Sequence, residues 1–234
     1  MGKLKLLFIH GAGGTKNKWR EAEQYLDGIP FEKIDLPGHG DNEYNAITSI
    51  QDYASYVTRD INEDTIVVGH SMGGLVALEL AARNKKVKGI VLAASFYELP
   101  VHEKLLEKLA NGEFPESLFY ASYCKETKQE LLDLEKEELT LVPVGVAYAD
   151  FRATNQYKEG LETLKSLTVP VGAILGSEDR LLPKGAAEAF KEALPDMKVS
   201  MIEGAGHFCM LEKPKEFFEQ LREFLREVEI NQIY

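Results

Sequence analysis

The sequence has little cysteine, a deficit of positive charge and no long apolar run. Only Cys124 and Cys209 occur among 234 residues, so no disulfide framework is implied and a reducing compartment fits. Asp and Glu outnumber Lys and Arg by 38 to 27, which argues against a nucleic-acid partner because phosphate binding requires clustered cations. No stretch reaches transmembrane length, and the first apolar run is too short for a signal peptide. We therefore expect a cytoplasmic protein without a membrane anchor.

Short apolar strands alternate with amphipathic helices along most of the chain, a pattern typical of a parallel sheet covered on both faces. The alternation stops between residue 96 and about residue 167, where only helices are predicted. We therefore expect one α/β core formed by residues 1–95 and 169–234, with a helical cap inserted at 96–168. The predicted strands are 5–9, 31–36, a β-branched run starting at 65, 87–94, 170–175 and 199–202. The predicted helices are 17–26, 50–61, 75–82, 102–110, 115–123, 127–141, 144–164 (the last one interrupted), 184–194 and 214–228.

A serine occupies the centre of Gly-His-Ser-Met-Gly at 69–73, between a β-branched run and a helical segment. This arrangement is the pattern of a nucleophile elbow, a turn so tight that the flanking positions leave no room for side chains. A serine hydroxyl becomes a nucleophile only when a base removes its proton, and that base needs an orienting acid. The pattern therefore predicts Ser71 as a nucleophile and requires a histidine and a carboxylate elsewhere.

The loops after the last two predicted strands supply the required base and acid. His207 lies in a glycine-rich loop after the last strand, and Asp179 follows the preceding strand, with Glu178 beside it as an alternative acid. Parallel strands end at one edge of a sheet, so we expect Ser71, Asp179 and His207 to converge there. Three further histidines lie near strand ends and fit structural roles: His10, His39 and His70. A metal site formed by these three is an alternative, but their spacing does not support it.

The glycine-rich turn at 11–14 follows the first strand and has two interpretations. Its glycine spacing matches neither the dinucleotide-binding pattern nor a phosphate-binding loop. A backbone N–H from this turn, together with one from the residue after the nucleophile, would form an oxyanion hole. A tight turn without any chemistry is the alternative.

Together these motifs resemble the α/β-hydrolase superfamily, in particular its esterase and lipase-like branch. The matching segments are 10–14, 35–40, 69–74, Gly176 with Asp179, and 206–207, in the superfamily's order of Ser, Asp and His. The resemblance implies an α/β-hydrolase fold with a mostly parallel sheet. About six strands are expected, because the family's N-terminal hairpin has no counterpart. It also implies that the backbone N–H groups of Ala12 and Met72 are the oxyanion donors, and that no cofactor or metal is needed.

The predicted function is a serine hydrolase that cleaves carboxylic esters of small to medium acyl chain through an acyl-enzyme. Its partner would be a small-molecule ester, bound in an apolar pocket that includes Phe96, Leu181 and Phe208. The alternative for each of these residues is that it only packs the cap onto the sheet. The same triad would also serve thioesters, lactones, monoacylglycerols, carbon–carbon bonds or peracids. A receptor-like member of the fold that binds a small molecule without catalysis is a further alternative. We expect the charged run at 135–138 to be the solvated face of a cap helix.

Overall fold

A six-stranded, all-parallel sheet forms the centre of the protein. The structure is a computed structural model and describes residues 4–45 and 47–231. The strand order is β2-β1-β3-β4-β5-β6. The predicted sheet of about six strands is therefore confirmed. The strands are β1 (Lys5–Ile9), β2 (Phe31–Ile34), β3 (Thr65–His70), β4 (Val87–Ala93), β5 (Val171–Gly176) and β6 (Lys198–Ile202).

Helices connect these strands and form the insertion after β4. Short 3₁₀ turns occur at Lys16–Trp19, Thr58–Asp60 and Leu139–Leu141. The α-helices are α1 (Ala22–Tyr25), α2 (Ile50–Val57), α3 (Met72–Arg83), α4 (Glu103–Ala110), α5 (Glu116–Ala121), α6 (Gln129–Glu138), α7 (Val144–Gln156), α8 (Gly160–Ser166), α9 (Ala186–Ala193), α10 (Cys209–Glu212) and α11 (Pro214–Asn231).

Two apolar clusters cover the two faces of the sheet. Along β1, Leu7 and Ile9 belong to one cluster, whereas Leu6 and Phe8 belong to the other. Successive side chains of a strand point to opposite faces, so one strand supplies both clusters. The first cluster includes residues of α2, α3, α8 and α9, and the second includes residues of α1, α10 and α11. The sheet is therefore buried on both sides, as the continuous apolar strands predict.

The helix boundaries differ from the prediction at three places. The predicted helix at 17–26 is a 3₁₀ turn followed by the four-residue α1, and it buries Lys18 and Trp19. The predicted segment at 144–164 divides into α7 and α8, because Tyr157 leaves helical geometry and anchors its hydroxyl on Glu79 Oε1 at 2.7 Å. The short helix α10 has no counterpart in the prediction, since four residues show no helical periodicity.

The insertion after β4 consists of helices α4 to α8. Leu164 of α8 lies in the apolar cluster of the core, and α8 packs against α3 and α9. Helix α8, the last helix of the insertion, therefore covers the sheet. Helices α4 to α7 come before it in the chain. The cap limits of 96–168 remain a prediction. The predicted core ranges include residues 1–3, 46 and 232–234, which lie outside the described residues.

The turn between β3 and α3 leaves no space for side chains at its glycines. A Cβ on Gly69 would lie 2.1 Å from the carbonyl oxygen of Gly73. A Cβ on Gly73 would lie 2.6 Å from the carbonyl oxygens of Ile9 and His10. Both distances are much shorter than a van der Waals contact. The atoms met are backbone atoms, which cannot rotate away as a side chain can. Glycine at position 69 therefore lets β3 approach α3 this closely, and glycine at position 73 lets α3 approach the end of β1.

We predict that Gly69→Ala destabilises the protein by about 3 kcal/mol or more, because the added methyl group displaces the backbone of α3. Urea unfolding followed by circular dichroism measures this loss. Gly145→Ala is the matched control, since no atom lies within 4 Å of a Cβ at Gly145 in α7. That control should be neutral or stabilise by roughly 0.5–1 kcal/mol. Equal stability of the two variants would contradict the packing argument.

Candidate active site

Ser71 occupies a strained turn that neighbouring strands hold in place. Its φ of 50° and ψ of −119° lie in a region that side-chain-bearing residues rarely adopt. The Ser71 N–H donates to the carbonyl of Ala93 at 3.0 Å, and its own carbonyl accepts from the Ser95 hydroxyl at 2.7 Å and from the Gly74 N–H at 2.9 Å. Such strain persists only where surrounding contacts over-determine the backbone, and it is concentrated at functional sites.

His207 and Asp179 form a buried hydrogen-bonded pair at the carboxyl edge of the sheet. The distance from His207 Nδ1 to Asp179 Oδ2 is 2.8 Å, and the two side chains are 6% and 2% exposed. The other carboxylate oxygen accepts the Leu181 N–H at 2.8 Å, and the His207 N–H donates to the carbonyl of Ser122 in the cap at 2.8 Å. Main-chain bonds on both partners therefore fix the orientation of the imidazole.

Ser71 and His207 line the same cavity. Within residues 4–45 and 47–231, the structure has no hydrogen bond between Ser71 Oγ and His207 Nε2. Such bonds are often long in ligand-free sites and tighten when substrate binds. Glu178, the alternative acid, is exposed, and Asp179 is the carboxylate that contacts His207.

His10 and His70 bond to the main chain and are fully enclosed. His10 donates from Nδ1 to the carbonyl of Gly11 at 2.8 Å and accepts the Leu36 N–H on Nε2 at 3.0 Å, which requires the neutral ring. Burial lowers the pKa of His10 to about 3 and also lowers the pKa of His70, which contacts the carbonyl of His207 through Nε2 at 3.0 Å. Over the described part of the chain, no cluster of three or more His, Cys, Asp or Glu side chains is arranged to hold a metal ion.

The loop after β1 lies directly against the nucleophile turn. A Cβ on Gly11 would meet His70 Nδ1 at 2.8 Å and Ser71 Cβ at 3.0 Å. Ala12, the next residue, lines the cavity beside Ser71. Met72 is the first residue of α3, and the first N–H groups of a helix have no partner within it. Ala12 thus lines the same cavity as Ser71, and Met72 follows Ser71 in the chain with its side chain buried in the core.

A cavity of about 340 Å³ opens in front of Ser71 and is mostly apolar. Leu181 and Phe208, two of the predicted pocket residues, line it. The third, Phe96, does not line this cavity: it is buried in the core against Phe190, with ring centroids 4.9 Å apart. The pocket prediction for Phe96 is therefore corrected to core packing. The cap contributes these apolar residues to the cavity wall: Leu99, Pro100, Val101, Leu105, Phe114, Leu118, Phe119, Leu139 and Phe151.

Glu135 of the cap forms a buried ion pair with the core, which corrects the expectation of a solvated run at this residue, whereas Lys136 and Glu137 are exposed. Glu135 is fully buried and contacts Lys18, itself 4% exposed, as well as Arg20 at 2.7 Å and the Tyr123 hydroxyl at 3.0 Å. Burial raises the pKa of Glu135, but the two cations outweigh burial and hold that pKa below its usual value. Helical periodicity does not reveal this pair, because the cations come from a loop more than 100 residues earlier.

Asp150 of α7 is a second buried carboxylate that sequence reasoning missed. It is fully buried and accepts hydrogen bonds from the Gly13 N–H at 2.8 Å and the Tyr53 hydroxyl at 2.6 Å. His39 Nε2 lies 2.7 Å from the same carboxylate, while His39 Nδ1 lies 3.0 Å from the carbonyl of Pro37. A lone acid among alanine, valine and phenylalanine in α7 is the sequence signal that marks this position.

The all-parallel sheet, the serine at the turn after β3 and the Asp–His pair at the carboxyl edge define a protein of the α/β-hydrolase class. The model of the alpha/beta hydrolase family matches residues 6–220. The chain therefore belongs to the alpha/beta hydrolase family.

Two proteins with similar sequences and one solved structure match the chain over nearly its full length. A pimeloyl-[acyl-carrier protein] methyl ester esterase of Neisseria meningitidis serogroup C is 28% identical over 241 residues, covering 96% of this chain and 94% of the relative. A 2-succinyl-6-hydroxy-2,4-cyclohexadiene-1-carboxylate synthase of Serratia proteamaculans is 25% identical over 248 residues, covering 94% and 92%. The solved structure of a thermophilic esterase has 30% identity and a TM-score of 0.83, covering 95% and 90%. In the described ranges, no helix combines the length and apolar character needed to cross a membrane.

We predict that stability decreases as the pH falls from about 6.5 toward 4.5, because His10 is neutral in the folded protein. The folded-state pKa of His10 is about 3, well below its ordinary 6.5, so only the unfolded chain takes up a proton in this range. The free energy of unfolding should therefore decrease by about 1.4 kcal/mol per pH unit for each such histidine. The pKa of His39 is raised in the folded protein, so the contribution of His39 to stability is fully present below pH 6.5. It therefore does not change the free energy of unfolding with pH in this range.

Urea unfolding at several pH values measures this slope. Nitrogen-15 NMR of labelled histidine identifies the state of His10, which should keep the Nδ1–H form throughout the range. A His10 resonance that titrates near pH 6.5, with a flat stability profile, would refute the prediction.

Proposed function

We propose that this protein is a serine hydrolase that cleaves carboxylic esters through an acyl-enzyme. Ser71 is the nucleophile, His207 the general base and Asp179 the acid that orients the imidazole. The backbone N–H groups of Ala12 and Met72 form the oxyanion hole. The observation that supports this proposal most strongly is the 2.8 Å contact between His207 Nδ1 and Asp179 Oδ2, at the edge of the cavity that contains the strained Ser71.

In the first step, Ser71 Oγ attacks the acyl carbonyl while its proton moves to His207 Nε2. The carbonyl oxygen becomes an oxyanion and accepts hydrogen bonds from the Ala12 and Met72 N–H groups. The tetrahedral intermediate then expels the alcohol, which takes the proton from His207 and leaves an ester on Ser71. A water molecule, deprotonated by His207, attacks that ester and releases the acid. Asp179 stays ionised and stabilises the imidazolium at each stage.

The cavity supports small or medium acyl groups as substrates. Its volume of about 340 Å³ is near the lower end of the range for ligand pockets, roughly 300–1,000 Å³. Two cationic side chains, Lys18 and Arg180, belong to its wall, and the described lining residues include no Asp or Glu. Neutral or anionic esters therefore suit this cavity better than cationic ones.

The named relatives include both an esterase of methyl esters and a synthase, so family membership leaves the reaction open. The triad alternatives are therefore separated by assaying thioester, lactone, monoacylglycerol, carbon–carbon and peracid substrates beside simple esters. A receptor-like protein would turn over none of them. The highest kcat/KM among these classes identifies the natural reaction type.

We predict that Ser71→Ala loses nearly all activity on p-nitrophenyl esters, about 10⁴-fold or more in kcat, because no other group forms the acyl-enzyme. A fluorophosphonate probe should label the wild type on Ser71 and should not label this variant. Ser117→Ala is the matched control, since Ser117 is an exposed cap residue outside the cavity wall. Full activity of Ser71→Ala, or no adduct on the wild type, would refute the proposed nucleophile.

The same assay separates the two neighbouring acids. Asp179→Asn should lower kcat by about three to four powers of ten, because the imidazole loses its orienting carboxylate. Glu178→Gln should keep wild-type kcat, since Glu178 is exposed. The opposite ranking would reassign the acid to Glu178.

We predict that Phe151→Ala shifts the preferred acyl chain toward longer esters. Phe151 is a cap residue that lines the cavity, and removing its ring enlarges the space available to the acyl group. Measuring kcat/KM over p-nitrophenyl esters of two to twelve carbons locates the optimum in each variant. Leu141→Ala serves as control because Leu141 is 49% exposed. An unchanged optimum in Phe151→Ala would show that the acyl group binds elsewhere.

A further inference from the structure

Asp150 connects the cap to the loop that carries the proposed oxyanion donor Ala12. It belongs to α7, and its carboxylate reaches Gly13, the residue after Ala12, 137 positions earlier in the sequence. The Gly13 N–H donates to Asp150 Oδ2 at 2.8 Å. This bond is a contact between a cap side chain and the main chain beside the nucleophile.

Three donors converge on this one carboxylate. Asp150 Oδ2 accepts from the Gly13 N–H and faces His39 Nε2 at 2.7 Å, and Oδ1 accepts from the Tyr53 hydroxyl at 2.6 Å. A buried carboxylate without partners is strongly destabilising, so this degree of satisfaction explains how Asp150 is tolerated at zero exposure. Burial lowers the pKa of His39, but the hydrogen bond and charge of Asp150 outweigh burial and raise it. This favours an imidazolium beside the carboxylate.

Gly13 has a left-handed backbone conformation that glycine adopts readily, and it packs against the cap. Its φ of +63° lies in the left-handed region, and a Cβ on Gly13 would approach Ala147 Cβ of α7 to 3.2 Å. Helix α7 therefore packs directly on the loop, and Asp150 adds a directional bond to that packing. The Gly13 N–H belongs to the peptide plane that follows Ala12, and this plane meets the plane of the Ala12 N–H at the Ala12 Cα. A bond that fixes one plane therefore limits the movement of the other.

We propose that Asp150 is a positioning residue that holds the Ala12–Gly13 segment in the orientation required for the oxyanion hole. This inference rests on the proposed serine-hydrolase function. The cap then contributes to the chemistry as well as to substrate binding, because a carboxylate on α7 sets the geometry of a donor in the core. Asp150 acts through Gly13 and does not touch the substrate.

Asp150→Asn tests this role while keeping the size of the side chain. The amide offers a single acceptor oxygen to the three donors and carries no charge to balance His39. The kcat for p-nitrophenyl esters should fall about 10- to 100-fold, with KM within about threefold of the wild type. An alkyl boronic acid, whose adduct with Ser71 places an oxygen in the oxyanion hole, should bind more weakly by the same factor as the fall in kcat.

Tyr157→Phe is the matched control, because it removes another buried hydrogen bond between the insertion and the core. The Tyr157 hydroxyl donates to Glu79 Oε1 at 2.7 Å, away from the oxyanion loop. Both variants should lower the melting temperature, and only Asp150→Asn should lower kcat and boronate affinity. An equal loss of kcat in the two variants, or wild-type kcat in folded Asp150→Asn, would overturn the inference.

Replacing the amide of Gly13 by an ester, through semisynthesis of the N-terminal segment, tests the same bond without changing Asp150. This variant lacks only the N–H donor and keeps the contacts of Asp150 with His39 and Tyr53, so it remains informative if Asp150→Asn does not fold. Its kcat should fall as far as that predicted for Asp150→Asn, and wild-type kcat would overturn the inference. A wild type that neither hydrolyses esters nor takes the fluorophosphonate refutes the proposed function, and this inference with it. An active wild type with unaffected variants refutes the inference alone.

Discussion

The close approach of β3 and α3 is the constraint on which the site depends. Gly69 lets β3 approach the first turn of α3, and Gly73 lets α3 approach the end of β1. Ser71 lies between these two glycines and has a positive φ. The turn lies near the centre of the sheet, and bonds from the neighbouring strand support it. Ala93 and Ser95 hold the Ser71 main chain from β4 and the residues after it. The position of one hydroxyl thus depends on the register of the whole sheet.

Buried and partly buried carboxylates bond the cap to this core at separate points. Glu135 bonds to Lys18 and Arg20, and Asp150 bonds to the loop after β1. Glu212, which follows the histidine loop, accepts the N–H groups of Gly206 and of Cys124 in the cap, each at 2.7 Å. Burying a charge costs desolvation energy that a well-packed apolar group does not, so such pairs contribute little net stability. Their directionality instead restricts the cap to one orientation over the site.

The sequence predicts the core well because its signals are local. The runs that form β1 and β3 are continuous and apolar, and parallel strands bring Ser71, Asp179 and His207 to one edge, so their proximity follows from topology. The sequence does not reveal the roles of Asp150 and Glu135 because their partners in the core lie 97 to 137 residues away, and helical periodicity says nothing about such partners. Phe96 was misplaced for a related reason, since an aromatic residue after a strand packs equally well into a core or a pocket.

Under the proposed function, reaction and substrate preference are encoded in different parts of the chain, and Asp150 joins them. The core supplies Ser71, Asp179 and His207, whereas the cap supplies most of the apolar cavity wall. In a family with many substrates, changes in the cap alter the pocket at little cost to the nucleophile turn. Helix α7 is an exception, because it carries two such residues. Phe151 lines the cavity, and Asp150 accepts a hydrogen bond from Gly13 in the loop after β1. A change that rotates α7 to fit a new acyl group also moves the Gly13 contact, so it alters kcat together with specificity.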